Sequence, residues 1–494
     1  MKKIKELVGL LGKKHLPLGD TKSGEQARLL YLYARRVAEP TDDGGAKKLN
    51  LLKSSPAYRK VKHRLKYALL DGITAVSSDP RVPANRPEAS LRCWSSIALA
   101  KSNHYAYDLL PRDLIDADIQ LSHEYDLLEA SSLLTDVLAD RPSVGPDIVH
   151  YLERSDYLGE LGVAMAELYD ASFYIASLKN EHSSSREISS AAINAIEKID
   201  SMEIERFDYV RLYYYRYIVI INKFIAQHKF VSVIEESNNA LEMIKEKSKD
   251  KWHRYSIVFK IYKLQSYVQL ENFKEGVGLA EDLLSQLNKD TINYAKTQEL
   301  IVLLCLRTSN FQEAYMYFNK YNIVDFGGNM DSYFAETILI FKAYIGVLII
   351  TGDIKTDESK PLVKLKIGKF INSFEHAQKE KTFRNVQIVL IKLVFAAITY
   401  NGDKLYNEID ACKKYVNRHM NKENLDRSRW IIKAIIYSVE RGMTTSSVEF
   451  VTRNYVNKLG EFPILETRQH SHIEVVRYDV LWSIILKHVG RNLG

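Results

Sequence analysis

The chain has 494 residues, 46% of them hydrophobic and 27% charged, which excludes wholesale disorder and fits about two to four ordinary domains or one extended repeat array. Glycine and proline are scarce, at 22 and 11 residues, which disfavours a turn-rich β fold and favours long helices joined by short polar turns. The net charge of +7 conceals two opposed blocks: residues 1–70 carry 17 Lys/Arg against 6 Asp/Glu, and residues 71–170 carry 7 against 18. Such blocks bear on association and steering, not on fold.

The first fifteen residues, MKKIKELVGLLGKKH, have too short an apolar stretch before Lys13 and Lys14 for a secretory leader. Next comes PLGDTKSGEQ, where Gly19 and Gly24 stand as in a phosphate-binding GxxxxGK[ST] loop. That loop needs a lysine and then Ser or Thr after the second glycine, and here Glu25 and Gln26 follow; a carboxylate there repels phosphate. The pattern instead predicts a helix start, with Ser23 and Gln26 forming a capping box and Leu29, Leu30 and Tyr33 turned toward a core.

The next helix expected, SSPAYRKVKHRLKYALLDGITAV, places Tyr58, Val61, Leu65, Leu69 and Val76 on one stripe. Its other side carries Arg59, Lys60, Lys62, His63, Arg64 and Lys66, with no acid before Asp71, and Lys47, Lys48 and Lys53 lie just upstream. A surface helix stabilised by i,i+4 pairs would interleave these cations with acids. The candidate contact residues are therefore Arg59, Lys60, Lys62, Arg64, Lys66, Lys47, Lys48 and Lys53. Their counterpart is solvent, nucleic-acid phosphate, an acidic protein partner, or the acidic 71–170 block of the same or another copy.

Breaks are expected at SSDPRVPANRPEAS and ADRPSVGPD, and loops at NEHSSSRE and TGDIKTDESKP. They divide the chain into a basic helical module (1–78), an acidic helical segment with a first hairpin whose aromatic turn position is Tyr105 (79–156), and a helical array (157–494). In LYYYRYIVII, Tyr213, Tyr214, Tyr215 and Tyr217 invite a base-stacking reading, but consecutive helical positions point in different directions, so core packing is the expectation.

Beyond residue 157 three turns look alike: HKFVSVIEES, ENFKEGVGLA and SNFQEAYMYF. Each sets a phenylalanine (Phe230, Phe273, Phe311) after a polar turn, with Val233, Gly276 or Ala314 three residues on, and NGDKLYNEID offers a related start at Leu405. The spacings of 43, 38 and 94 residues suggest helical hairpins recurring about every 40 residues, with the first helix of each pair lining the inside of the stack. The [NK]-F-x-E-[AG] start of the second helix, best at Glu275–Gly276 and Glu313–Ala314, resembles that of tetratricopeptide-type repeats. The resemblance covers at most residues 157–460, and it implies an all-α, right-handed solenoid that binds protein or peptide on a concave groove and rarely catalyses.

The run TILIFKAYIGVLIITGD, interrupted by Lys342, is too short between charges to cross a bilayer and is expected as a buried helix. Near the end, RQHSHIEVVRYDVLWSIILKHV carries His470, His472 and Glu474. Ser471 and Glu474 are spaced as a capping box opening a helix with Val475, Val476, Val480, Trp482 and Ile485 on its core side, which separates the histidines and disfavours a shared metal. Cys93, Cys305 and Cys412 form neither a disulfide framework nor a zinc pattern and point to a reducing cytoplasm. There is no GxSxG elbow, HExxH, calcium loop or kinase HRD loop. The expectation is a non-catalytic cytoplasmic scaffold, adaptor or sensor subunit without cofactor or metal, with protein partners, no membrane association, and nucleic acid as the alternative partner. A regulatory repeat holding a peptide or small signal in its groove is the third reading.

Overall fold

The computed structural model describes residues 1, 4–5, 8, 22–74, 86–101, 112–139, 148–180, 184–248, 252–289, 291–320, 332–356, 382–399, 402–420, 425–440, 445–462 and 474–492. Among them all regular secondary structure is helical, so the chain is all-α. Contacts cluster into two compact units: Met1–Tyr169 with Met202–Phe207, and Asp170–Ser201 with Asp208–Gly494. The boundary expected at 156/157 falls inside a helix that runs unbroken from Ile148 to Asn180.

The first unit begins with α1 (Lys22–Arg36), α2 (Asp42–Lys48) and α3 (Pro56–Thr74). These three share a core of Ala27, Leu30, Tyr31, Ala34, Ala46, Leu49, Tyr58, Val61, Leu65 and Leu69. The stripe predicted on α3 is thus the buried one, while its Val76 lies outside the described residues. On α1 the buried face is Ala27–Leu30–Tyr31–Ala34; Leu29, expected inward, is 43% exposed, because the i, i+3, i+4, i+7 stripe passes through Tyr31 instead. Gly45 lets α2 press against both neighbours, since a Cβ there would stand 2.9 Å from Leu30 Cδ1 and from the Tyr58 hydroxyl.

Helices α4 (Arg86–Lys101), α5 (Arg112–Glu124) and α6 (Leu128–Ala139) follow, then α7 (Ile148–Asn180), which carries Tyr151 into their core. That core surrounds a buried carboxylate: Asp118 accepts from Arg92 Nε at 2.6 Å and from the Ser96 hydroxyl at 2.6 Å. Tyr105 lies outside the described residues.

The second unit contains α8 (Ser185–Asp200), α9 (Val210–Ala226), α10 (Phe230–Ser248), α11 (Trp252–Gln269), α12 (Phe273–Gln286), α13 (Ile292–Arg307), α14 (Phe311–Lys320), α15 (Ser332–Ile350), α16 (Thr382–Thr399), α17 (Gly402–His419), α18 (Asp426–Glu440), α19 (Thr445–Glu461) and α20 (Tyr478–Asn492). NEHSSSRE, expected as a loop, holds a helix start: Ser184 and Glu187 form a full capping box on α8. Within this unit successive helices pack on one another from α8 to α13, and alternate helices also meet: α11 with α13, α13 with α15, α16 with α18 and α18 with α20. Helix α13 is buried on every face from Thr297 to Arg307, and the apolar run within α15 is a buried helix, with Ile338, Phe341, Ala343, Tyr344, Ile345, Val347 and Leu348 all in the core.

The recurring turns share one backbone solution. His228, Glu271 and Ser309 take φ of 57°, 54° and 60°, the left-handed region that closes a helix. The next amide then reaches back five residues, Lys229 to Phe224, Asn272 to Tyr267 and Asn310 to Cys305, at 2.9 Å each. The following helix starts at once on Phe230, Phe273 or Phe311, and Val233, Gly276 or Ala314 is buried beneath it. The same turn joins α5 to α6, where Asp126 has φ 55°, Leu127 bonds back to Ser122 at 2.8 Å, and Ser131 fills the small buried position. The side chain of Leu405 lies outside the described residues.

Candidate functional site

The predicted contact residues converge on α2, α3 and the turn between them. Thr41 caps α2 by accepting from Gly44 N at 3.1 Å, and Asp42 and Asp43 occupy its first turn, where the helix dipole favours acids. Ser55 caps α3, accepting from Tyr58 N at 3.2 Å, and Pro56 follows as the first helical residue. This start fixes the rotation of α3, so Tyr58, Val61, Leu65 and Leu69 face the core and the cations between them face outward.

Asp42 anchors the arrangement. It accepts from Lys62 Nζ at 2.8 and 3.0 Å, from the Tyr58 hydroxyl at 2.8 Å and from the Met1 ammonium at 3.1 Å. Burial alone would raise its pKa, but the hydrogen bonds from Lys62, Tyr58 and the ammonium outweigh it and hold the carboxyl down to about 2. Burial and the adjoining Asp42 together push the Tyr58 hydroxyl the other way, upward.

The cations therefore divide. Lys62 is bound to Asp42, Lys53 lies 3.0 Å from Asp43, and Arg59 donates to the Ser54 carbonyl at 2.9 Å. The side chains of Lys47, Lys48, Lys60, Arg64 and Lys66 are exposed and make no hydrogen bond or ion pair among the described residues. Lys47 and Lys48 also sit in the last turn of α2, where cations suit the helix dipole. The free charge is thus carried mainly by Lys60, Arg64 and Lys66 on α3, with the two lysines of α2 beside them in sequence.

Three of the four clustered tyrosines pack into the structure, Tyr213 buried and Tyr214 and Tyr217 partly buried against the core. Tyr214 packs on Tyr255 and Phe259 of α11 at ring distances of 5.1 and 5.5 Å, Tyr217 reaches Phe259 at 6.4 Å, and Tyr213 is buried beneath Lys247. Of the phosphate-loop-like stretch, Gly19 lies outside the described residues, while Gly24 and Glu25 fall inside the first turn of α1. His470, Ser471 and His472 lie outside the described residues.

Glu474 departs from its expected place. Residues 474–477 are not helical, α20 starts only at Tyr478, and the carboxylate is wholly buried. It accepts from Arg427 Nε and NH2 at 2.8 Å each and from Tyr478 N at 2.8 Å, while its backbone carbonyl accepts from Arg307 Nε at 3.0 Å. The local S-x-x-E pattern mimics a capping box, and its true partners lie 47 and 167 residues away in sequence. One signal was present: Arg307 closes the otherwise apolar run LIVLLCLR, and a cation in such a place needs a distant partner.

No protein family, curated protein or solved structure matches the chain.

Proposed function

We propose that this chain is a non-catalytic helical-repeat scaffold, adaptor or sensor subunit, cytoplasmic, joining protein partners in a multi-protein complex. On this reading the second unit is a right-handed solenoid of the tetratricopeptide type. The observation that carries it is the recurrence of one turn at His228, Glu271 and Ser309, with the same backbone sign, the same 2.9 Å closing bond and a buried residue at the same position of the helix that follows. Packing between neighbours and between alternate helices is how such hairpins stack. Affinity purification from the native host, with and without nuclease, tests it: a stoichiometric protein that survives nuclease supports the reading, and its absence from the full-length bait removes it.

A second reading is favoured by a different observation, the exposed Lys60, Arg64 and Lys66 with Lys47 and Lys48 nearby. On this reading the first unit binds nucleic-acid phosphate. Five engaged cations give a log–log salt slope of about −4.5 on duplex DNA. Replacing Lys60, Arg64 and Lys66 by glutamate leaves the Asp42 anchor intact and should abolish retention on nucleic acid; unchanged retention removes α3 from the interface. The acidic 71–170 block of a second copy is a third occupant of the same face, read out by salt-sensitive self-association. Among the described residues no helix is long and apolar enough to cross a membrane.

A further inference from the structure

In a stack of hairpins each helix meets its neighbours in the chain. Helix α20 keeps that rule in meeting α19 and α18, but residues 474–485 also tie to elements far from them in the chain. Arg307, at the end of α13, donates to the Glu474 carbonyl, and its NH1 reaches Val268 O and Gln269 Oε1 at the end of α11. Arg427 on α18 grips the Glu474 carboxylate, and its neighbour Ser428 meets the Tyr478 hydroxyl at 2.8 Å. Arg477 reaches Glu271, in the turn after α11, at 3.3 Å. Val475, Val476, Tyr478, Leu481, Trp482, Ile484 and Ile485 are buried in the core cluster that α11, α13, α15, α16 and α18 build.

Set the segment aside, and the receiving surface has a definite character. It is apolar, with two buried guanidiniums, Arg307 and Arg427, converging from helices 120 residues apart in sequence. Buried guanidiniums need a carboxylate and carbonyl oxygens to offset their desolvation; Val268, Gln269, Leu459 and Phe462 supply oxygens from the surface itself, and Glu474 adds the carboxylate for Arg427 and a carbonyl for Arg307. Burial lowers the Arg307 pKa, against the pull of Glu474 and Glu271, which fits a cation dependent on that partner.

We propose that this surface of the second unit is a binding site for an acid-anchored apolar segment, and that residues 474–485 of the chain are its resident occupant. A protein partner of this surface carries a carboxylate followed by two apolar residues and, four positions on, an aromatic hydroxyl. It engages by displacing the chain's own segment. The inference rests on the repeat-array reading of the second unit.

The test uses the full chain with a site-specific protease sequence inserted between Phe462 and Glu474, and a fluorescent synthetic peptide of residues 474–492 as probe. Once cut, the folded protein should exchange its fragment for the labelled peptide, while the uncut chain excludes it, because a tethered segment holds an effective concentration on the order of millimolar. A Glu474→Gln peptide should bind at least tenfold more weakly. In a second arm, uncut Glu474→Gln protein should take up wild-type peptide at concentrations where the unmodified chain takes none. The proposal is overturned if cut protein that keeps its helical circular dichroism fails to exchange, if the Gln peptide binds equally, or if cutting alone unfolds the second unit. These outcomes are independent of the affinity purification, so an adaptor can lose this site and keep its partners.

Discussion

Arg427 and Glu474 face each other through two hydrogen bonds of 2.8 Å, Nε to Oε2 and NH2 to Oε1, with side-chain exposures of 3% and 0%. Two charges taken out of water gain little net stability from each other, yet leaving either alone is costly. Glu474→Ala should therefore destabilise the second unit by about 3–5 kcal/mol, read as a fall in the urea midpoint of tryptophan fluorescence. Replacing both residues, Arg427→Met with Glu474→Leu, should recover most of that loss. A double variant no better than the single one would locate the cost in the Arg307 and Tyr478 contacts instead.

Gly276 allows α12 to cross closely over its neighbours: a Cβ there would stand 2.4 Å from Leu304 Cδ2 and 3.2 Å from Tyr267 Cβ. Alanine has the better helix propensity, by about 1 kcal/mol, but Leu304 and Tyr267 must move to admit it. Gly276→Ala should lower stability by about 1–3 kcal/mol, checked by thermal melting. A rise would mean that Leu304 changes rotamer freely.

Ser309 closes α13 at φ 60°, a region that costs a residue with a side chain about 1 kcal/mol. Ser309→Gly should raise stability by roughly 0.5–1 kcal/mol, and Ser309→Val should lower it by more than that. The pair of substitutions, measured by urea unfolding, separates backbone strain from any side-chain role.

Asp42 links stability to pH. Its folded pKa of about 2 lies below the ordinary 3.8, so its contribution is complete above the unfolded value and is lost as pH falls from about 4 toward 2. After discounting for solvent screening the loss amounts to roughly 1–2 kcal/mol. Hydrogen exchange at α2 and α3 amides should accelerate across that window, and Asp42→Asn should remove the dependence there.

What the sequence made legible was local. Phe230, Phe273 and Phe311 mark helix starts because a polar two-residue turn, an aromatic residue and a buried residue three positions on recur over one short stretch. Tyr58, Val61, Leu65 and Leu69 reveal a buried face because a single helix periodicity places them there. The equivalent turn at Asp126 passed unnoticed because leucine and serine fill its aromatic and small positions. Leu29 was misplaced because α1 puts alanines and Tyr31, which carry weak pattern signals, on its buried side. Glu474 was misread because a capping box and a buried ion pair use the same residue, and only the partner at Arg427 tells them apart. On the basic face the sequence named residues of α2, α3 and the turn between them, but which of those cations are already engaged depends on Asp42 and Asp43, which no local pattern pairs with Lys62 or Lys53.

Synthesis on the ribosome runs in one direction, and the tie between Arg307 and Glu474 spans 167 residues of it. An ordinary repeat protein can settle hairpin by hairpin as it emerges. Here the guanidinium that ends α13 finds Val268 and Gln269 already made, but it gains the Glu474 carbonyl only after a further 167 residues. A product truncated before Glu474 would keep the oxygens of Val268, Gln269, Leu459 and Phe462 beside these two guanidiniums but would lack the carboxylate that offsets the burial of Arg427. The core of the second unit is therefore completed from both sides of a 167-residue interval, and not one hairpin at a time.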